Sequence, residues 1–259
     1  MNNSLYIAAT GMQAQQLSID TIANNLANVN TTAFKKGRVN FQEMMHVDAA
    51  QNAVGATGGM TTALQSMGIS IENVAKDFSA GSLTQTNSPM DIAISGNGFI
   101  EVTLADGSHG YSRGGTLQVS KDGYLATSSG HVLKPTIHIP STAAAIVVQA
   151  DGKVMVQNAG QDQLTEAGQL ELVNFSNSAA LKMVGSGIYQ PTEASGDAVY
   201  GKPGTEGLGS ITQNALESSN VSLVDEMVTL MIAQRAYEMS SKIVQASDEM
   251  MSLTNNLRR

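Results

Sequence analysis

The stretch LYIAATGMQAQQLSIDTIANNLANV, residues 5–29, decides how this chain folds. Its apolar residues recur at alternating intervals of three and four, which is the heptad pattern of a packed helix. The members of this stripe are Leu5, Ala8, Met12, Gln15, Ile19, Ile22, Leu26 and Val29. Asp20 is the only charged side chain among the first 33 residues. A helix with so little charge is predicted to be contacted on several sides.

A second heptad stripe lies at the C-terminal end of the chain. All its members are apolar: Ile232, Ala236, Met239, Ile243, Ala246, Met250, Leu253 and Leu257. Apolar residues continue the stripe upstream after a shift of one position, which predicts a helix start near Ser219 or Asn220, both suitable N-caps. Two such helices at opposite ends of one chain predict that they pack against each other as a coiled coil. A pair of ordinary amphipathic core helices is the alternative.

The middle of the chain has the pattern of a β domain. Short alternating runs are separated by Asn-Gly and Asp-Gly dipeptides, which favour hairpin turns because they tolerate positive φ. Residues 146–148 and 153–157 flank one such dipeptide, Asp151-Gly152, and are predicted to form the two arms of one hairpin. The predicted fold class is therefore α+β, with paired terminal helices and an inserted, mainly antiparallel β domain.

This pattern predicts three segments. Residues 1–33 and 211–259 form the helical coiled-coil domain, and residues 34–81 form an extended linker. Residues 82–210 form the β-rich domain and the linker that returns to the C-terminal helix.

Composition and motif spacing argue against the common kinds of chemistry. The net charge of −8 repels phosphate backbones, so nucleic-acid binding is not expected. Cysteine is absent and His46, His109, His131 and His138 lack metal-ligand spacing, so we expect no metal and no cofactor. The Gly96-x-Gly98 pair leads into a strand, unlike a nucleotide-binding loop, and no Ser-His-Asp arrangement is present. We therefore predict no catalytic residue and no enzyme.

The sequence also bears on membranes and targeting. No stretch approaches the ~20 apolar residues that cross a bilayer, so the chain is not expected to insert into a membrane. The N-terminus lacks the basic region and apolar core of a secretory signal peptide. A soluble β-domain binding module is the alternative function from a different class.

Residues 23–36, ANNLANVNTTAFKK, closely resemble the N-terminal signature of the bacterial flagellar axial proteins, the rod and hook family. The matching residues are Asn24, Asn25, Leu26, Ala27, Asn28, Thr31, Phe34 and Lys35. The family usually has glycine directly before the phenylalanine, where this chain has Ala33, and a left-handed backbone there would be strained. The resemblance continues in order through residues 91–99 and 111–115. At the C-terminal end it includes Ser219, Asn220, Val221, Gln234, Arg235, Ala236, Tyr237 and Glu238.

The resemblance implies a structural subunit that polymerises with copies of itself into a hollow drive shaft around an export channel. It also implies that the β-rich domain lies on the outside of the shaft and that residues 34–81 contact other subunits. Chain length and residues 77–94, DFSAGSLTQTNSPMDIAI, favour the distal rod over the proximal rod and the hook. The implied partners are the proximal rod and hook-side axial proteins, the surrounding L and P ring proteins and the flagellar type III export apparatus. The implied location is the basal body across the periplasm, reached without cleavage of a signal peptide.

Two features of the signatures leave alternatives open. Asn24, Asn25 and Asn28 either make cross-subunit or backbone hydrogen bonds that fix register, or cap the helix and form the turn after it. Arg235 lies at helical spacing from Glu238 and near Glu226, which predicts either a salt bridge within or between subunits or a solvated pair.

Overall fold

A computed structural model describes residues 2–47, 64–160, 163–185, 187–205 and 207–257. Two helices, α1 (Asn2–Ala27) and α2 (Leu223–Leu257), stand at the ends of the chain. The strands between them are β1 (Gly37–Val47), β2 (Leu64–Lys76), β3 (Leu83–Gln85), β4 (Asp91–Ser95), β5 (Phe99–Thr103), β6 (His109–Ser112), β7 (Gly114–Val119), β8 (Leu125–Thr127), β9 (Val132–Lys134), β10 (Ala143–Val148), β11 (Lys153–Asn158), β12 (Leu164–Gln169), β13 (Leu172–Asn174), β14 (Lys182–Gly185), β15 (Ile188–Gln190), β16 (Val199–Gly201), β17 (Ser210–Gln213) and β18 (Ala215–Glu217). Short 3₁₀ turns cover Ser178–Ala180 and Glu193–Ser195. The predicted α+β class is confirmed.

The chain forms two compact units. The helical unit takes its described residues from Met1–Ala27, Gly37–Ala75 and Ser222–Arg259. The β unit consists of the described residues of Asn28–Lys36 and Lys76–Val221. The chain therefore passes between the units four times, after residues 27, 36, 75 and 221.

In the helical unit, α1 packs against α2 and also contacts β1, which pairs with β2 in a two-stranded sheet. The backbone of β2 approaches α1 closely at Gly68, whose φ is 106° and whose missing side chain would collide with Thr10. Only glycine combines that conformation with that space. The two terminal helices contact each other as predicted, although this contact alone does not establish a coiled coil.

The start of α2 differs from the prediction. The helix begins at Leu223, and the hydroxyl of Ser222 lies 3.5 Å from the N–H of Asp225, in the place of an N-cap. Ser219 and Asn220 were the wrong candidates because their side chains bond elsewhere. The Ser219 hydroxyl accepts from Val221 N–H, and the Asn220 amide bonds to other segments of the β unit, described below.

The β unit is built almost entirely from antiparallel pairs. Its largest sheet runs in the order β14-β15-β6-β5-β9-β8-β7-β4-β17, with β13 joined to β5 and β16 joined to β13. Strands β10, β11 and β12 form a separate three-stranded sheet, and β18 pairs with β3. The predicted hairpin of residues 146–148 and 153–157 is confirmed, since Val148 pairs with Val154 across a turn in which Gly152 has φ 87°.

The core of the β unit lies between these strands. One cluster of buried side chains consists of Ile92, Ile94, Ile100, Val102, Leu117, Leu125, Leu133, Ile137, Ile139, Val148, Val154, Val156, Leu170, Leu172, Ile188 and Ile211. A second, aromatic cluster contains Phe99, Tyr111, Val173, Phe175, Leu181 and Tyr189. Phe78 meets the rings of Phe99 and Tyr189 edge to face, with centroids 5.2 and 5.0 Å apart. This contact anchors the chain just after it enters the β unit at residue 76.

Candidate functional site

Helix α2 has one buried face and one exposed apolar face. The buried face carries small or polar residues, among them Glu226, Ala233 and Ser247. The predicted heptad stripe lies on the other face. Its large members Ile232, Met239, Ile243, Met250 and Leu253 are 54–64% exposed, while Ala236 is half-buried. The helix pair therefore forms through a different face of α2 from the predicted one, because the small residues there permit closer contact.

The exposed stripe includes part of the upstream continuation that the sequence predicted. Val224 and Met231 extend it toward the start of the helix and are 68% and 56% exposed. We call these seven large side chains the α2 row: Val224, Met231, Ile232, Met239, Ile243, Met250 and Leu253. The side chain of Leu257, also predicted as a member, lies outside the described residues. An exposed apolar surface of this length is typical of a contact surface for another molecule.

The predicted stripe of α1 is more protected. Ile22 is buried, and Leu5, Met12, Ile19, Leu26 and Val29 are half-buried. The helix ends at Ala27, so Val29 follows it in the turn. The stripe therefore takes part in the packing of the helical unit and still leaves part of its surface open.

Asn25 is the buried polar residue of this helix, with 2% of its surface exposed. Its side-chain oxygen accepts from the N–H of Gly37 at 2.8 Å, and its amide nitrogen donates to the carbonyl oxygen of Gly37 at 3.0 Å. The same nitrogen lies 3.1 Å from a carboxylate oxygen of Glu226 on α2. Of the two interpretations, the backbone hydrogen bonds apply to Asn25, and they are made within one chain.

The other signature polar residues form the turn after α1. The side-chain oxygen of Asn28 accepts from the hydroxyl of Thr31 at 3.2 Å, and the Thr31 N–H donates to the Asn28 carbonyl at 3.1 Å. Asn24 lies on the exposed side of the helix. The turn interpretation therefore applies to Asn28. Ala33 has φ 56°, so the left-handed backbone expected where the family has glycine is present here with alanine.

Phe34 and Lys35 bring this turn into the β unit. Phe34 is buried beneath the ammonium of Lys76, whose nitrogen lies 4.8 Å from the ring centroid. The ammonium of Lys35, also buried, donates to a carboxylate oxygen of Glu217 and to the carbonyl oxygen of Ser79, both at 2.7 Å.

Arg113 completes a buried ion cluster with Lys35 and Glu217. Its guanidinium lies 3.3 Å from Glu217 and donates to the carbonyl oxygens of Gly98 at 2.8 Å and Gly96 at 2.9 Å. Both Arg113 and Glu217 are 2% exposed. The cluster thus joins the segment after α1, the turn between β4 and β5, and the last strand before α2.

Burial and charge act in opposite directions on this cluster. Burial acts to raise the pKa of the Glu217 carboxyl, but Arg113 and the hydrogen bonds from Lys35 and the Gly81 N–H hold that pKa below its ordinary value. Burial lowers the pKa of Lys35 more than Glu217 raises it. A buried pair of this kind is strongly destabilised when one partner is removed.

Asn220 makes a second set of hydrogen bonds within the β unit, and Ser79 is a partner in both sets. Its side-chain oxygen accepts from the N–H of Lys36 at 2.9 Å. Its amide nitrogen donates to the carbonyl oxygen of Asp77 at 2.8 Å and to the hydroxyl of Ser79 at 3.0 Å. The Asp77 N–H in turn donates to the Lys36 carbonyl at 3.0 Å.

The C-terminal signature lies on α2. Gln234 and Arg235 are exposed and Tyr237 is 39% exposed. Arg235 forms an ion pair with Glu238 at 3.0 Å within the same chain, and both side chains are exposed. The pair is therefore a salt bridge within one chain that lies open to solvent. Glu226 is bonded to Asn25 instead.

Sequence reasoning missed the importance of Glu217 and the true role of Asn220. The sequence of β18 gives no signal for Glu217, because its most apolar residue, Leu216, is half-buried while Ala215 and Glu217 are buried. A charged residue at a buried strand position requires a partner. No local pattern identified Lys35 as that partner, because 182 residues separate the two.

The described part of the chain offers no built site for metal chemistry or membrane insertion. Within it, no group of three or more His, Asp or Glu side chains is placed to hold a metal ion. No helix among the described residues is long and apolar enough to span a membrane.

Three family models match successive parts of the sequence. Residues 5–35 match the model described as flagella basal body rod protein, and residues 212–257 match the C-terminal model of the flagellar basal body rod FlgEFG proteins. Residues 93–156 match the D1 domain of the flagellar hook protein FlgE/F/G. The matches therefore fall on both terminal helices and on much of the β unit.

Relatives align over the whole chain. The flagellar basal-body rod protein FlgG of Borreliella burgdorferi is 39% identical over 100% of both chains. The protein of the same name from Bacillus subtilis is 37% identical, again over 100% of both. The flagellar hook-basal body complex protein FlhP of Bacillus subtilis is 26% identical over 100% of both chains.

Proposed function

The chain belongs to the flagellar basal-body rod protein family, and we propose that it is a structural subunit of the distal rod. Copies of the chain polymerise into a hollow helical shaft, which transmits torque from the motor to the hook and surrounds the export channel. It is a structural protein and not an enzyme. Identities of 37–39% over the full length to flagellar basal-body rod proteins named FlgG support this proposal.

The observation that carries the proposal is the exposed α2 row. Burying a Val, Ile, Leu or Met side chain stabilises by roughly 1.5–3 kcal/mol, so covering seven half-exposed side chains contributes on the order of 5–10 kcal/mol. Association itself costs an estimated ~4–15 kcal/mol in lost freedom of motion. One such contact is therefore marginal, and a subunit that contacts several neighbours at once is held firmly. This is the energetic pattern of a polymer.

The α1 stripe and the segment 34–81 supply further contacts in this proposal. The open part of the α1 stripe faces neighbouring copies together with the α2 row. In the segment 34–81, Phe41, Met44, Ile69 and Val74 are 39–46% exposed, which suits a subunit-contact role. Residues 48–63 of that segment lie outside the described residues.

The proposed location is the part of the basal body that crosses the periplasm. The proposed partners beyond other copies are the proximal rod and hook-side axial proteins at the two ends of the shaft, the L and P rings around it, and the type III export apparatus that delivers the unfolded chain. Family membership supports these partners.

A matched pair of α2 variants tests the proposal. Ile243→Asp places a charge in the α2 row, and Gln245→Asp places the same charge on an exposed position of α2 outside it. We expect Ile243→Asp to stay monomeric in sedimentation and electron microscopy, with helix content by circular dichroism unchanged. Gln245→Asp should assemble like the wild type.

The same experiment separates the alternatives. Assembly of Ile243→Asp at the wild-type level would exclude the α2 row as the contact surface. A wild-type chain that stays monomeric at all concentrations, and remains stably folded after removal of residues 1–33, would instead favour a soluble binding module.

A further inference from the structure

The four connections between the two units are the only covalent route by which force passes from one unit to the other. They follow residues 27, 36, 75 and 221. If these segments bent independently where they leave a unit, each would act as a hinge. What holds them together at those points therefore decides how stiffly the chain transmits a load.

On the helical side, Asn25 joins three of the four connections. Asn25 lies two residues before the connection after residue 27. Gly37, to which it bonds through both its backbone groups, is the first residue after the connection at 36. Glu226 follows the connection after 221 by one helical turn. One side-chain amide thus ties together three segments that are distant in sequence.

On the β side, Asn220 does the same with a different set of atoms. Lys36 is the last residue before one connection, Asp77 is the second residue after another, and Asn220 itself precedes the connection at 221 by one residue. The Asn220 amide accepts from the first and donates to the second. Again a single side chain, which lies beside one connection and bonds to residues beside two others, ties together three of the four connections.

We propose that Asn25 and Asn220 are positioning residues that tie the connections together at each unit and so suppress hinge bending under torque. This inference rests on the proposed rod function for its purpose. An amide is suited to the task because it offers an acceptor and two donors at once, which a carboxylate or a hydroxyl does not. Loss of either tie frees the backbone groups of Gly37 in one case, and of Lys36 and Asp77 in the other, at the start of the connections.

Gln213 supplies a matched control. Its amide makes the same pattern of bonds inside the β unit: it accepts from Val148 N–H at 3.0 Å and donates to the carbonyl oxygens of Pro89 at 2.6 Å and Ile146 at 2.9 Å. Both Gln213 and Asn220 are half-buried. Gln213→Ala therefore removes equivalent bonds away from the connections, with a comparable effect on overall stability.

The first measurement uses the full-length monomer. Amide hydrogen exchange should accelerate about tenfold at Gly37 in Asn25→Ala and at Lys36 in Asn220→Ala, the factor that corresponds to a hydrogen bond of about 1.4 kcal/mol. Gln213→Ala should accelerate exchange at Val148 and leave Gly37 and Lys36 unchanged.

The second measurement uses the assembled shaft. Electron micrographs of Asn25→Ala and Asn220→Ala polymers should show a shorter bending persistence length than the wild type, and Gln213→Ala polymers should be as straight as the wild type. Equal straightness of all four polymers, or equal softening by Gln213→Ala, would overturn the inference. Failure of the wild type to polymerise would overturn the proposed function instead, and the exchange result on the monomer would still show whether the two ties hold.

Discussion

The two units of this chain use apolar residues in opposite ways. In the β unit, sixteen aliphatic side chains form one buried cluster, beside a separate aromatic one. In the described part of the helical unit, the buried apolar residues are Ala8, Ala14, Ile22 and Ala233. The large apolar residues of α2 face outward instead, in the α2 row. The β unit thus completes its packing by itself, whereas the helical unit leaves its packing to be completed by neighbours.

This difference implies a division of roles. A unit with its own close-packed core holds its shape whatever surrounds it. A unit with a small internal contact and a long exposed apolar face gains most of its stability on association. Substitutions should therefore affect folding when they fall in the β unit and assembly when they fall on α2.

The largest expected effect on folding comes from the buried ion cluster. Lys35→Met leaves the buried Glu217 carboxylate with one cation fewer, which should destabilise the β unit by about 3–5 kcal/mol. Chemical denaturation of the monomer measures this. Lys153→Met is the control, since Lys153 forms a half-exposed pair with Asp151 at 3.5 Å and should change stability by less than about 1 kcal/mol. Similar losses for both variants would mean that the cluster contributes little.

The next effect compares the two units directly. Leu172 is fully buried, so Leu172→Ala should lower the free energy of unfolding by about 2–5 kcal/mol through lost burial and the cavity left behind. Ile243 is 54% exposed, so Ile243→Ala should change it by less than about 1 kcal/mol in the monomer. The two variants should rank in the opposite order when assembly is measured. Ile243→Ala should raise the critical concentration for assembly, and Leu172→Ala should not raise it at temperatures where the variant stays folded. A monomer equally sensitive at both positions would contradict the division of roles.

Sequence reasoning succeeded in both units where neighbouring residues decide the structure. Local patterns predicted the two helices and the hairpin at Asp151-Gly152, and they offered the turn around Asn28 as one of two alternatives, since neighbouring residues decide each of them. Periodicity also identified the apolar stripe of α2. It could not tell which face of α2 meets α1, because the answer depends on the small residues Ala233 and Ser247, which have no hydrophobic signal. An apolar stripe predicts a contact without saying whether the partner is the same chain or another copy.

The buried polar contacts were harder to predict for a different reason. The bonds of Lys35 with Glu217 and of Asn25 with Glu226 join residues 182 and 201 positions apart. Nothing within a short window of sequence relates them, and the fold alone brings them together. The family signatures marked Asn25 and Lys35 without showing what they bond to.

Lowering the pH should reduce the contribution of Glu217 to the stability of the β unit. The folded pKa of Glu217 lies below its ordinary value of 4.5, so the unfolded chain takes up a proton first and the contribution of Glu217 to stability declines as the pH falls through the folded pKa. Glu217→Gln leaves the buried Lys35 and Arg113 without a carboxylate partner, so at pH 7 it should cost about 3–5 kcal/mol, as Lys35→Met does. This difference from the wild type should stay constant above pH 4.5 and shrink below it. A difference that does not change between pH 7 and pH 3 would show that the carboxylate is not the stabilising form.

The smallest effect should come from Arg235, on the surface of the helical unit. Its ion pair with Glu238 joins side chains that are 79% and 56% exposed, so Arg235→Ala should change the stability of the monomer by less than about 0.5 kcal/mol. Arg235 nevertheless stands on α2 between Ile232 and Met239, two members of the α2 row. A charge covered by a neighbour is screened less by salt than one in open solvent. If neighbouring copies cover that row, the assembly of Arg235→Ala should therefore depend on salt differently from that of the wild type. The thermal unfolding of the two monomers should be the same. Light scattering over a series of salt concentrations measures this, and identical salt dependence would place Arg235 outside the contact.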